Sequence, residues 1–158
     1  MGKEYIVALR ESLEKKLKIM EETYSLCKLQ SDVLESETVD FDRFDQLVDE
    51  KDICIDKISK LDEGFELVYQ RVQDELLNNK DAYSSEIKKM QELITKITDY
   101  GTRIMALEER NKKKVTSALN SERLSIREGR RSVNVAMNYY KGMTGMGIPE
   151  SRFMDKKH

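Results

Sequence analysis

KEYIVALRESLEKKLKIMEETYSLCKLQSDVLE, residues 3–35, is the stretch from which the fold can be read. Within it Ile6, Leu13, Met20, Cys27 and Leu34 lie seven apart, with Leu9, Leu17 and Tyr24 beside them. Glu4, Glu11, Glu14, Lys15 and Lys18 cover the remaining faces. Apolar residues at intervals of three, four and seven line one stripe of an α-helix, so this stretch predicts a long helix that packs on a neighbour through that stripe. No proline occurs between Gly2 and Ile148, and nothing else in the backbone would break such helices.

Working outward, the stripe lapses in Ser36-Glu37-Thr38-Val39-Asp40. Short polar side chains there compete for backbone hydrogen bonds, and Asp40 is placed to cap a second helix. The connection is short enough to fold that helix back on the first. Its stripe is Phe44, Leu47, Val48, Cys54, Ile55, Ile58, Leu61, Phe65, Val68, Val72 and Leu76, with Asp42 and Asp45 in the first turn, where acids suit the helix dipole. Gly64 costs roughly 1 kcal/mol relative to Ala, but the stripe keeps its phase across it, which predicts a continuous or slightly bent helix. After a turn expected at Asn78-Asn79-Lys80-Asp81, the seam resumes with Tyr83, Ile87, Met90, Ile94, Ile97, Ile104 and Leu107.

From Glu108 to Lys114 the seam changes character. The residues are Glu-Glu-Arg-Asn-Lys-Lys-Lys, Asn111 occupies the seam, and the buried apolar area is expected to thin out. The helical period then continues through Val115, Ala118, Leu119, Ile126, Val133, Met137 and Tyr140. An unbroken third helix over 81–141 would be on the order of 90 Å long, against roughly 50 Å for each of the first two. The segment 115–140 is therefore either an extension past the bundle or a separate helix folded back on it. In both cases its stripe is the least protected in the chain, which marks it as a binding surface.

The expected fold class is all-α: an elongated antiparallel bundle of about three long helices with a coiled-coil-like seam, and an irregular tail. Residues 1–141 are expected to form a single helical domain with helices near 3–35, 41–77 and 81–141, the pattern of the last being compatible with a bend or split near 101–120. Residues 142–158 hold three glycines and the only proline, yet also Met143, Met146, Ile148, Phe153 and Met154. Such a tail suits either packing on the end of the bundle or adaptable contact with a partner.

Composition narrows the function. The chain has 158 residues, 37% of them charged, 7% aromatic and no Trp, which is poor material for a compact globular core. Its net charge of -2 conceals an asymmetry: residues 1–111 carry 17 basic and 26 acidic side chains, residues 112–158 carry 11 and 4. The two cysteines, Cys27 and Cys54, both fall on apolar stripes and read as small core residues of a reducing compartment. No signal-peptide run and no apolar stretch of membrane-spanning length occurs, so a cytoplasmic protein is expected.

Chemistry finds little support. Gly142, Gly145 and Gly147 have no preceding strand and no Gly-Lys-Ser/Thr, so they are no phosphate loop. The single histidine is terminal, which leaves neither a zinc set nor a base for a Ser or Cys nucleophile. Glu-x-x-His pairs for a di-iron centre are absent, and the acids Asp40, Asp42, Asp45, Asp49 and Glu50 lack the glycine and terminal Glu of a calcium loop. No catalytic residue, metal or cofactor is expected. Lys112, Lys113, Lys114, Arg123, Arg127, Arg130 and Arg131 form a basic segment over 112–131 that could meet phosphates, but Glu122 and Glu128 interrupt it and aromatics are missing. Nucleic acid is accordingly the lesser alternative, beside a structural coiled coil that assembles with itself.

The helical hairpin, the segment FDRFDQLVDEKDICIDKISKLDEGF over 41–65, and the close running from Tyr139-Tyr140-Lys141 to Ser151-Arg-Phe-Met-Asp-Lys-Lys157 together resemble flagellar type III export chaperones of the FlgN class, with the FliT class as the near alternative. That resemblance spans nearly the whole chain. It implies a small helical cytoplasmic protein of bacterial flagellum assembly that holds a hook-associated or filament-cap protein before export. Such a chaperone covers the amphipathic terminal helix of its client, which otherwise self-associates, and delivers it to the export apparatus. On that reading Leu119, Ile126, Val133, Ala136, Met137 and Tyr140 supply apolar contact, while Arg123, Arg127 and Arg130 orient an acidic client or meet the export machinery. The seam is also compatible with pairing of two copies as a homodimer.

Overall fold

The computed structural model describes residues 2–120, and over this range the chain is all-α. Helix α1 spans Gly2–Glu35, α2 Phe41–Asn78 and α3 Ser84–Asn120. Among the described residues there is no strand, no cis peptide and no residue with positive φ.

The connections follow from local chemistry. Asp40 is the N-cap of α2: its Oδ1 accepts from the Arg43 backbone N–H at 3.1 Å, and its carbonyl accepts from Phe44 N–H at 3.1 Å. Val39 and Phe44, which hold the two positions of a hydrophobic staple around that cap, are both buried. The Phe44 ring also meets Phe41, with centroids 5.7 Å apart. The second turn lies at Asn79–Tyr83, slightly later than the asparagine pair suggests, because Asn79 N–H still bonds back to the Glu75 carbonyl at 3.0 Å. Tyr83 opens α3, its carbonyl accepting from Ile87 N–H at 2.9 Å while its hydroxyl donates to Glu75 Oε1 at 2.8 Å. That hydrogen bond to a carboxylate pushes the Tyr83 phenol above its ordinary pKa. Gly64 is exposed, has open space where a Cβ would stand, and interrupts neither α2 nor its stripe.

The described residues fall into two compact sections, each built from parts of all three helices. The first joins α1 up to Glu21 with Ile55–Tyr100. Its core is Ile6, Leu9, Leu13 and Met20 from α1, Ile58, Phe65, Tyr69, Val72 and Leu76 from α2, and Met90, Ile94 and Ile97 from α3. Phe65 and Tyr69 stack at 6.1 Å between centroids. Here α1 and α2 run antiparallel, since the backbone at Gly2 lies under the Glu75 carboxylate while Lys16 Nζ meets Asp62 Oδ1 at 2.7 Å. Arg10 ties α1 to α3 through Glu86 Oε2 at 2.7 Å.

The second section joins Glu22–Cys54 with α3 from Gly101 onward. Cys27, Leu34, Val39, Phe41, Phe44, Leu47, Val48, Cys54, Ile104, Val115 and Ala118 are its buried apolar residues. Both cysteines are buried free thiols.

The seam of α1 differs in one respect from its apolar pattern. Ile6, Leu13, Met20, Cys27 and Leu34 are all buried, but the second buried row is Gly2, Leu9, Lys16, Thr23 and Gln30, whereas Leu17 and Tyr24 are only half-buried. Helix geometry fixes this: positions three and four residues apart share the contact line, and the line takes whichever side chain stands there, polar or not.

Candidate functional site

The lapse in the seam at Glu108 is a site in its own right. Lys51, Gln30 and Asn111 are fully buried and Glu108 is 4% exposed. Lys51 Nζ, on α2, donates to Glu108 Oε1 on α3 and to Gln30 Oε1 on α1, so one ammonium joins all three helices. Cys27 Sγ donates to the same Glu108 oxygen at 2.7 Å, and Asn111 Nδ2 donates to the Cys27 carbonyl at 3.1 Å. Burial pushes the Cys27 thiol well above its ordinary pKa, so it remains protonated and can act as that donor. Gln30 Nε2, Glu108 Oε2 and Asn111 Oδ1 are buried and have no hydrogen-bond partner among the described residues.

Lys51 and Glu108 are not part of a solvated face. They lie in the seam, and the thinning of apolar area expected at 108–114 is met by a polar layer rather than by a gap. Nothing in the apolar pattern pointed to Lys51 or Gln30. The available signal was spacing: Gln30 stands seven after Thr23 and fourteen after Lys16, Lys51 stands seven after Phe44, and Glu108 stands seven after Gly101, each in a row of seam positions. Among the described residues no three His, Cys, Asp or Glu side chains are gathered as metal ligands would be.

Towards the end of α3, Lys114 Nζ donates to Ser31 Oγ at 2.8 Å and to Glu35 Oε1 at 2.6 Å. These bonds hold the Glu35 carboxyl below its ordinary pKa. Within this section α3 therefore runs parallel to α1, with residue 108 beside 27 and residue 114 beside 31 and 35. Of the residues expected to bind a partner, Leu119 belongs by its backbone to the last turn of α3. Arg123, Ile126, Arg127, Arg130, Val133, Ala136, Met137 and Tyr140 lie outside the described residues, as does the segment 142–158.

No helix among the described residues is long and apolar enough to cross a membrane. No curated protein and no solved structure matches the chain. A family model described as "FlgN protein" matches residues 1–142, all three helices included. On a match over so much of its length, the chain belongs to the FlgN family, a family of flagellar export chaperones and not of enzymes.

Proposed function

We propose that this chaperone works in the cytoplasm by holding the amphipathic terminal helix of a hook-associated or filament-cap protein, keeping it from premature assembly and delivering it to the type III export apparatus. The contact surface is the row of residues that follows Ala118. What carries this reading is a change of phase. The buried seam of α3 consists of two rows seven apart, Met90, Ile97, Ile104, Asn111 and Ala118 with Ile94, Gly101, Glu108 and Val115. Continued at that period, the rows meet Glu122, Ser125, Gly129 and Ser132 before Ala136 and Tyr139, so they offer little to α1 or α2. Four apolar residues of the stretch, Leu119, Ile126, Val133 and Tyr140, recur every seven positions one residue later, a step that corresponds to about 100° on a helix.

Arg123, Arg130 and Met137 stand in the adjacent row, and Arg127 beside Ile126. On a continued helix, an apolar row out of phase with the seam would suit a further helix in the helix-in-groove manner, with the arginines steering an acidic face of that helix. The basic segment fits a protein partner better than nucleic acid, because Lys114 is already engaged by Ser31 and Glu35.

Calorimetric titration of the full chain with terminal helical segments of hook-associated and filament-cap proteins tests the proposal. Saturable one-to-one binding is expected with one of them. Val133→Asp and Met137→Asp should abolish it while circular dichroism keeps its helical signal. Binding that survives both substitutions would place the surface elsewhere, and no binding to any segment would remove the client class.

A further inference from the structure

We infer that the layer of Gln30, Lys51, Glu108 and Asn111 is a pairing key: it dictates that α1, α2 and α3 meet one another at this level and do not meet their counterparts in a second copy of the chain. The apolar seams cannot supply that discrimination. The buried rows of α1 repeat every seven residues from Gly2 to Leu34 and those of α3 from Met90 to Ala118, a pattern that serves self-association of identical helices as well as it serves this bundle. The layer separates the alternatives by charge. Two α3 helices paired in parallel register along their seam would bury Glu108 against Glu108, two α2 helices likewise Lys51 against Lys51, and an antiparallel pair would leave each charge without its opposite. Only the combination of all three different helices gives the Lys51 ammonium both the Glu108 carboxylate and the Gln30 amide oxygen.

The layer is also incompletely satisfied, since Gln30 Nε2, Glu108 Oε2 and Asn111 Oδ1 have no hydrogen-bond partner among the described residues. A buried ionic layer of this kind contributes little or nothing to stability compared with apolar residues of similar size, and its best attested use is to fix which helices associate.

The test replaces the whole layer in the full chain, Gln30→Leu, Lys51→Met, Glu108→Leu and Asn111→Leu together, and follows mass by analytical ultracentrifugation over a hundredfold range of concentration. The natural chain is expected to sediment as one species whose mass does not change over that range. The apolar variant should keep its helical content and its urea midpoint, yet form a mixture whose mean mass rises with concentration. A second variant, Lys51→Glu with Glu108→Lys, keeps opposite charges at the two positions and should also sediment as a single species, whereas Glu108→Lys alone, which sets like charges together, should not. The inference is overturned if the apolar variant sediments as the same single species, or if it fails to fold, since the layer would then be needed for stability itself. It is equally overturned if the natural chain already forms a concentration-dependent mixture.

Discussion

The two sections of the molecule use the same three helices to opposite ends. In the first, the shared line between helices is filled mainly by Ile, Leu, Met, Phe, Tyr and Val, and the one buried charged side chain among its described residues, Lys16, meets Asp62 at the edge, where Asp62 is partly exposed. In the second, the same line is crossed by five buried polar side chains, Thr23, Gln30, Lys51, Glu108 and Asn111, and the Lys51–Glu108 pair is almost wholly withdrawn from water. Apolar contact is tolerant of which helix provides it, whereas a buried ion pair is not. The first section thus holds the helices together and the second specifies which helices they are.

The strongest way to break this contrast is Lys51→Met. It leaves Glu108 buried without a cation and should cost about 3–5 kcal/mol in urea unfolding, the scale for stripping one partner from a buried pair. If the loss were no greater than that of an exposed ion pair, about 0–1 kcal/mol, the layer would not be a buried electrostatic unit. Ile94→Ala sharpens the comparison from the other side. It truncates a fully buried side chain in the apolar section and should cost about 2–5 kcal/mol, by lost transfer and a residual cavity. Added salt should change both losses little, that of Ile94→Ala because no charge is involved and that of Lys51→Met because its ion pair is shielded from solvent ions.

Asp40→Ala removes the cap at the start of α2 and should cost about 1 kcal/mol, with Asp40→Asn recovering most of it. The smallest effect is expected from pH. The Glu35 carboxyl, hydrogen-bonded by Lys114, has its folded pKa depressed, so its contribution is present above the ordinary carboxylate range and is lost as pH falls through the depressed folded value. Stability profiles of the natural chain and Lys114→Met should therefore differ slightly near neutral pH and converge once pH has fallen below the depressed folded value of Glu35. A difference that persists at pH 2 would assign the Lys114 contribution to its packed aliphatic stem.

Much of the fold was legible because period is legible. The three stripes place α1 and α2 to within a residue or so, Asp40 shows its capping role from its position before Phe41, and the cysteines show theirs from the stripes they occupy. What escaped the reading was polar content at seam positions. Lys16, Gln30 and Lys51 look like ordinary surface residues until the register is known, because hydrophobicity marks the contact line only where the line happens to be apolar. The start of α3 was blurred for a related reason. Asn79 and Lys80 announce a turn, but its end depends on the bonds of Tyr83 and Glu75, which join residues eight apart. The proposed partner row rests on the sequence pattern: Leu119, Ile126, Val133 and Tyr140 recur every seven residues, one residue later than the buried α3 row that ends at Ala118.

The central claim is that client binding uses this out-of-phase row and leaves the three-helix seam in place. Amide hydrogen exchange of the full chain, with and without a saturating terminal helix of a hook-associated or filament-cap protein, tests it most directly. New protection confined to residues 119–140, with Cys27, Lys51 and Asn111 unchanged, is the predicted result. Protection that changes around Cys27, Lys51 and Asn111 instead would show that the client enters the seam and would contradict the account.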